Sequence, residues 1–227
     1  MTSAELSPTP RSTVRRGSER ARTDRAELLA VLDAGLHCHL AMQIDGSPRV
    51  VPTGYGRIGG TLYLHGSSGA RTMREGCEDA EVCVSVTLVD GVVYARAAFH
   101  NSINYRSALV HGRTRRVDDP DEKWQGLRAL TEQLAPGSWE HSRQPTKKEL
   151  AATAVLALDL DEAAVKVRSG GPGDDAEDVE AGGRWAGTLP LHHRWGEPVP
   201  SADLAADFPT PGHVTDRRHG SDVRASS

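Results

Sequence analysis

Aromatic residues make up only 4% of this 227-residue chain, with Phe occurring twice, so a core has to be assembled from Val, Leu, Ala and Ile. Cysteine is scarce as well. Cys38, Cys77 and Cys83 contain no CxxC pair and leave one over in any pairing. A disulfide is therefore not expected, and a reducing cytoplasm is the simplest setting. No apolar run approaches the roughly 20 residues needed to cross a bilayer, and the first 25 residues lack the apolar core of a secretory signal. Neither sign of charge dominates: 27 Lys and Arg face 31 Asp and Glu, for a net charge of −4. That balance gives no general attraction for nucleic acid or an anionic membrane. No Gly-x-Ser-x-Gly elbow is found, and no Walker loop.

What is present is a soluble-protein composition, 37% hydrophobic and 26% charged. Residues 1–22 are rich in Ser, Thr, Pro and Arg and read as a flexible arm. A transit peptide and an arm wrapping a partner subunit are the sharper readings. Asp24 and Glu27 open a helix with Leu28, Val31 and Leu32 on its apolar face, and Gly35 falls where a terminating glycine belongs. Strands are expected over about 36–44, 48–58 and 61–65, separated by Asp45-Gly46 and Gly59-Gly60. After a short helix near 68–76 come strands at about 81–89 and 92–99, turned at Asp90-Gly91, and another over about 105–117. This is an antiparallel meander that closes into a barrel. A helix follows from about Pro120, with Trp124, Leu127, Leu130 and Leu134 on its buried side and Pro136-Gly137 as its stop. Thr146 and Glu149 cap a further short helix, and strands over about 153–160 and 163–168 return to the sheet. Residues 169–183 read as a Gly-rich acidic loop, and 203–227 as a disordered tail.

The most informative segment is Thr61-Leu-Tyr-Leu-His-Gly-Ser-Ser-Gly-Ala-Arg71. An alternating strand runs into small residues and then a basic residue in the first turn of a helix. The N–H groups of Gly66, Ser67, Ser68 and Gly69 could converge on an anion with Arg71 as countercharge. Bending and capping alone would use the same residue types.

Together with Thr13-Val-Arg-Arg-Gly17, Val51-Pro-Thr53, Val86-Thr-Leu-Val-Asp-Gly91, Ala95-Arg-Ala-Ala-Phe-His100, Asn104-Tyr-Arg-Ser107, Lys166-Val-Arg168 and Trp185-Ala-Gly-Thr-Leu-Pro190, this segment resembles the pyridoxamine 5′-phosphate oxidase-like proteins. The likeness spans about residues 11–200 and is greatest to the branch related to nitroimidazole-resistance flavoproteins. It implies a mainly β fold, the FMN-binding split β-barrel of six to eight mostly antiparallel strands with peripheral helices, over residues 23–202. It also implies a homodimer with FMN at the interface and a small-molecule substrate. Carried over residue by residue, Pro52 and Thr53 line the isoalloxazine, and Leu64, His65, Gly66 and Ser67 flank the ribityl chain. Arg71 holds the phosphate, Asn104, Tyr105 and Arg106 approach from the barrel side, and Trp185 covers the flavin from the partner. The Arg-x-His pair and Arg-Leu-Pro terminus of a true pyridoxamine phosphate oxidase are missing, so vitamin B6 oxidation is not implied.

Two functions of different class follow from that resemblance. One is an FMN-dependent oxidoreductase passing hydride or electrons from a reduced donor to a small oxidised acceptor. Arg96, His100 and Arg106 would then lie near the flavin, with His100 and Arg106 the candidate catalytic residues. The other is a protein that holds or senses flavin or haem without turnover, with His100 a candidate haem ligand or an ordinary loop histidine. His37 and His39 share a strand face and make at most half a metal site, so no metal is expected. His192-His193 and the acidic run Asp174, Asp175, Glu177 and Asp178 read as solvated.

Overall fold

The computed structural model describes residues 5, 6, 9–77, 79–205 and 207–220. The chain enters through a two-residue strand, β1 (Ala21–Arg22), and helix α1 (Arg25–Ala34). There follow β2 (Cys38–Ile44), β3 (Ser47–Thr53), β4 (Tyr55–Ile58), β5 (Thr61–Ser67), α2 (Arg71–Gly76), β6 (Glu81–Tyr94), β7 (Ser102–Arg113) and β8 (Arg115–Arg116). Helices α3 (Pro120–Leu134), α4 (Ser138–His141) and α5 (Lys147–Ala152) lead to β9 (Thr153–Asp159) and β10 (Glu162–Arg168). The chain ends in α6 (Ala176–Ala181), β11 (Gly187–Pro190) and α7 (Gly212–Gly220).

The strands form two sheets, ordered β1-β10-β7-β6-β2-β3 and β4-β5-β9-β8, with β11 added to β6. Every pairing described is antiparallel. The chain passes directly between the sheets at Gly54, from β3 to β4, and at Thr114, from β7 to β8. Thr114 is fully buried, and its hydroxyl donates to the Gly76 carbonyl at 2.8 Å. One apolar cluster draws on both sheets, joining Leu40, Val84, Val110 and Val165 to Leu62, Leu64, Leu156 and Leu158. This is the split barrel expected from the sequence.

Several local expectations differ. The single strand expected over 48–58 is two strands in different sheets, broken at Gly54. The turn expected at Asp90-Gly91 is a β-bulge: β6 runs unbroken for 14 residues, and its register against β7 shifts between Val89 and Gly91. The real reversal lies at residues 95–101, where Ala98–His100 form a 3₁₀ turn. The strands expected at 153–160 and 163–168 do not pair with each other but belong to different sheets. Gly35 follows α1 as expected, but with φ −79°, so left-handed backbone is not the reason for it. A Cβ there would stand 2.5 Å from the Tyr55 hydroxyl and 2.6 Å from Val86 Cγ1, and space is what requires glycine.

Helix ends follow local chemistry. Asp24 caps α1 by accepting the Ala26 N–H at 2.7 Å, and Asp119 caps α3 by accepting the Glu122 N–H at 2.7 Å. Thr146 and Glu149 make a complete capping box on α5. On α3, Leu130 is buried and Trp124 stacks edge-on against Trp139 at 5.1 Å, but Leu134, expected inside, is exposed. The acidic loop at 169–183 contains α6.

In the N-terminal segment, expected as an arm, Leu6 and Ser12 are both buried. Arg11 donates to Glu162 at 2.6 Å and also pairs with Glu81. Residues 203–227, expected as a tail, include α7, while 221–227 lie outside the described residues. No disulfide joins Cys38, Cys77 and Cys83. No helix among the described residues is long and apolar enough to cross a membrane.

Candidate functional site

The residues named from the sequence fall into two groups. The first lies on the smaller sheet, where β5 gives way to α2. Leu64 is fully buried and belongs to the core rather than to a cofactor surface. His65 is exposed on the strand, yet nearby protein mass disfavours its charged form and lowers its pKa. Gly66 is pressed by α2, and a Cβ would come within 2.8 Å of Met73 Cγ. The anion cradle expected here is largely closed by the turn's own bonds. Ser68 N–H donates to Ala152 O at 2.9 Å, and Gly69 N–H to the Ser67 hydroxyl at 3.2 Å. Gly66 and Ser67 are in the ladder with β9. Small residues in this turn therefore serve bending and pairing first.

Arg71 remains exposed at the start of α2. It pairs with Asp45 in the β2–β3 turn at 2.5 Å and with Glu75 at 3.5 Å. The Asp45 bond foremost, then Glu75, raises its pKa. Pro52 and Thr53 stand at the end of edge strand β3, opposite His39 and Cys38 of β2. They are not on the sheet that carries Arg71.

The second group lies on the larger sheet, around the far ends of β6 and β7. Asn104 is almost buried, donates to Gly170 O at 3.1 Å and accepts a bond from Arg168. Tyr105 is half-buried beside it and pairs across the ladder with Arg168. Arg106 makes a bidentate pair with Asp90, at 3.0 and 2.7 Å, which raises its pKa and balances its charge. The bulge at Asp90 turns that carboxylate toward Arg106. Arg96 binds Asp174 at 2.7 Å through its side chain and at 2.8 Å through its backbone N–H. Its Nε is buried without a partner among the described residues. His100 Nε2 lies 3.2 Å from Asp175, and its ring meets Phe99 at 5.3 Å. Trp185 is 70% exposed and leans on Tyr94 at 5.8 Å.

Sequence reasoning missed the role of Asp174. Expected in solvent, its side chain is only 2% exposed. Burial works against its charge, but the bonds from Arg96 outweigh burial and its pKa is lowered. The partners are 78 residues apart, so no local signal could have joined them. Among the described residues no three His, Cys, Asp or Glu come together as a metal site. The edge-on His37–His39 pair, centroids 5.4 Å apart, stands without a third ligand.

The second group thus presents an exposed aromatic face, Tyr94, Phe99 and Trp185, bordered by an imidazole and fixed cations. Such a face suits a flat, partly charged ring system.

Known proteins bear on this arrangement. The chain is similar to the flavocytochrome Anf3 from Azotobacter vinelandii, at 37% identity, TM-score 0.87, covering 94% of this chain and 99% of that one. It is similar to a FAD- and haem-binding protein from Mycobacterium smegmatis at 40% identity and TM-score 0.84, over 88% of this chain and 97% of that one. A 5-nitroimidazole antibiotic resistance protein from Bacteroides thetaiotaomicron shares the fold, at 20% identity and TM-score 0.55, over 65% of this chain and 86% of that one. No curated protein matches significantly. The family model described as pyridoxamine 5′-phosphate oxidase matches residues 24–167. The bulged β6–β7 pair, strands β2 to β9 and the turn into α2 all lie within that span, and the chain belongs to the pyridoxamine 5′-phosphate oxidase-like family.

Proposed function

We propose that this chain binds a flavin together with haem, with FAD rather than FMN as the flavin. The observation that carries the reading is its 37–40% identity, over nearly the whole length, to a flavocytochrome and to a protein that binds FAD and haem. FMN, expected from the sequence, is named in neither.

The residues fit a planar cofactor. The aromatic face at Tyr94, Phe99 and Trp185 offers apolar contact, and the buried Arg96 Nε is a donor awaiting an acceptor. Arg71 would answer a flavin phosphate, and the closed turn amides leave that charge to its side chain. His100 would hold haem iron through Nε2, the nitrogen that Asp175 now contacts. Bound flavin would supply hydride or electron transfer, and haem single-electron transfer. Asp174 would keep Arg96 oriented, and Asp175 would give up its contact with His100 Nε2 to the iron. A second copy of the chain would cover the exposed face and bury Trp185.

The test is the absorbance spectrum of purified protein, with acid release to identify the flavin. Flavin bands near about 450 nm together with a Soret band are expected. A colourless protein that takes up neither cofactor overturns the reading. His100→Ala should abolish the Soret band and leave the flavin bands.

The second reading is an oxidoreductase working on flavin alone, favoured by the basic set Arg96, His100 and Arg106. Bleaching of the flavin by NADPH or a deazaflavin donor, with reoxidation by a nitro compound or quinone, would support it. Its failure with a fully loaded protein leaves the holder.

A further inference from the structure

We propose that a cationic cleft between α2, α3 and β9 binds the phosphate group of a small molecule without the Arg71 side chain. The cleft encloses about 370 Å³, within the range of small-ligand sites. Arg74, Arg116 and Lys123 all line it, and no Asp or Glu among the described residues does. In a chain of net charge −4, three cations gathered with no carboxylate among the described wall residues form a local positive field. Met73 and Val155 supply an apolar side, and Ser68 stands at the rim.

The three cations differ in how far they are already engaged. Arg116 pairs with Asp118 at 2.7 Å, but both side chains are more than half exposed and the pair is weak. Lys123 gives one N–H to Leu150 O at 2.8 Å and keeps two donors. Arg74 makes no side-chain hydrogen bond or ion pair among the described residues, and its planar fork suits phosphate oxygens. Arg71, three residues earlier on α2, is turned to Asp45 and does not line the cleft. The volume leaves room for more than a bare ion, and the apolar side fits the organic part of a phosphorylated metabolite.

The phosphate could belong to a free metabolite or to the flavin itself, and calorimetric titration with inorganic phosphate and pyrophosphate separates the two. Uptake by flavin-loaded protein assigns the cleft to a free ligand. Uptake by stripped protein alone, still dependent on Arg74, assigns it to the cofactor's phosphates. Arg74→Glu should weaken association about tenfold or more. Arg74→Lys should retain most of it. Arg74 is exposed, so these variants keep the fold, which circular dichroism checks. Association untouched by R74E overturns the site. The titration does not depend on flavin being bound, so its failure is distinguishable from failure of the cofactor reading.

Discussion

At Gly56 the β4 backbone lies against α3 so closely that a Cβ would fall within the backbone of Ala129 and Leu130. Gly56→Ala should destabilise the protein by about 3 kcal/mol, measured by urea unfolding, because backbone on both sides must move. Arg71 shows how residue type and residue role separate. Its identity as a cation at a strand-to-helix turn is readable in sequence, but its partner Asp45 lies 26 residues earlier. Arg71→Ala should weaken flavin retention about tenfold in equilibrium dialysis if its side chain alone answers the phosphate. Leu64 could not be told from its neighbour His65 as a lining residue. In β5, Leu62, Tyr63 and Leu64 are all buried, and alternation fails because α2 and α3 cover the outer face. At His111 burial leads: its Nε2 is enclosed without a partner among the described residues, and desolvation foremost, then Arg11, lowers its pKa.

Element ends were the most legible part of the sequence, because caps are local chemistry. Asp24 and the Thr146–Glu149 box act where expected, and Asp119 caps α3 just before the expected start at Pro120. Asp119→Ala should cost about 1 kcal/mol of stability by denaturant titration. The β6 strand was not legible. Asp-Gly is the usual sign of a tight hairpin, yet here pairing with β7 and β11 on opposite sides holds the chain straight, and the dipeptide is absorbed as a bulge. The arm before α1 was also read too loosely, since its anchors Glu81 and Glu162 lie 70 and 151 residues away. Bonds from Arg11, then from Thr9, hold the Glu162 carboxyl well down, at about 2. In the unfolded chain it would titrate near about 4.3. The clasp's contribution is therefore complete above about pH 4.3 and is lost as pH falls through about 2. Pepsin should cut residues 5–20 faster as pH is lowered through that window. Glu162→Gln should expose Arg11, Arg15 and Arg16 to trypsin at neutral pH, and unchanged cleavage would show that the clasp does not hold the arm.

Over the whole molecule, fold class could be read from order and spacing, whereas the gathering of the site could not. The turn at Arg71 follows a strand of the smaller sheet and the aromatic residues lie on the larger, and only long-range pairing decides this. Tyr94, Phe99, Trp185 and Leu189 leave an apolar surface at the end of the larger sheet. Sedimentation should give the mass of two chains, and Trp185→Asp should shift the protein toward one chain with loss of cofactor. The unbroken β6 has one more consequence. β2 borders it only along Val82–Ser85, and β11 takes over along Gly91–Tyr94. A polypeptide ending before residue 187 would keep nearly all of its interior but bare four residues of amide and carbonyl in the middle of the larger sheet. Such a protein should fold and then stick to itself, so the last short strand would guard against aggregation as well as frame the exposed aromatic residues.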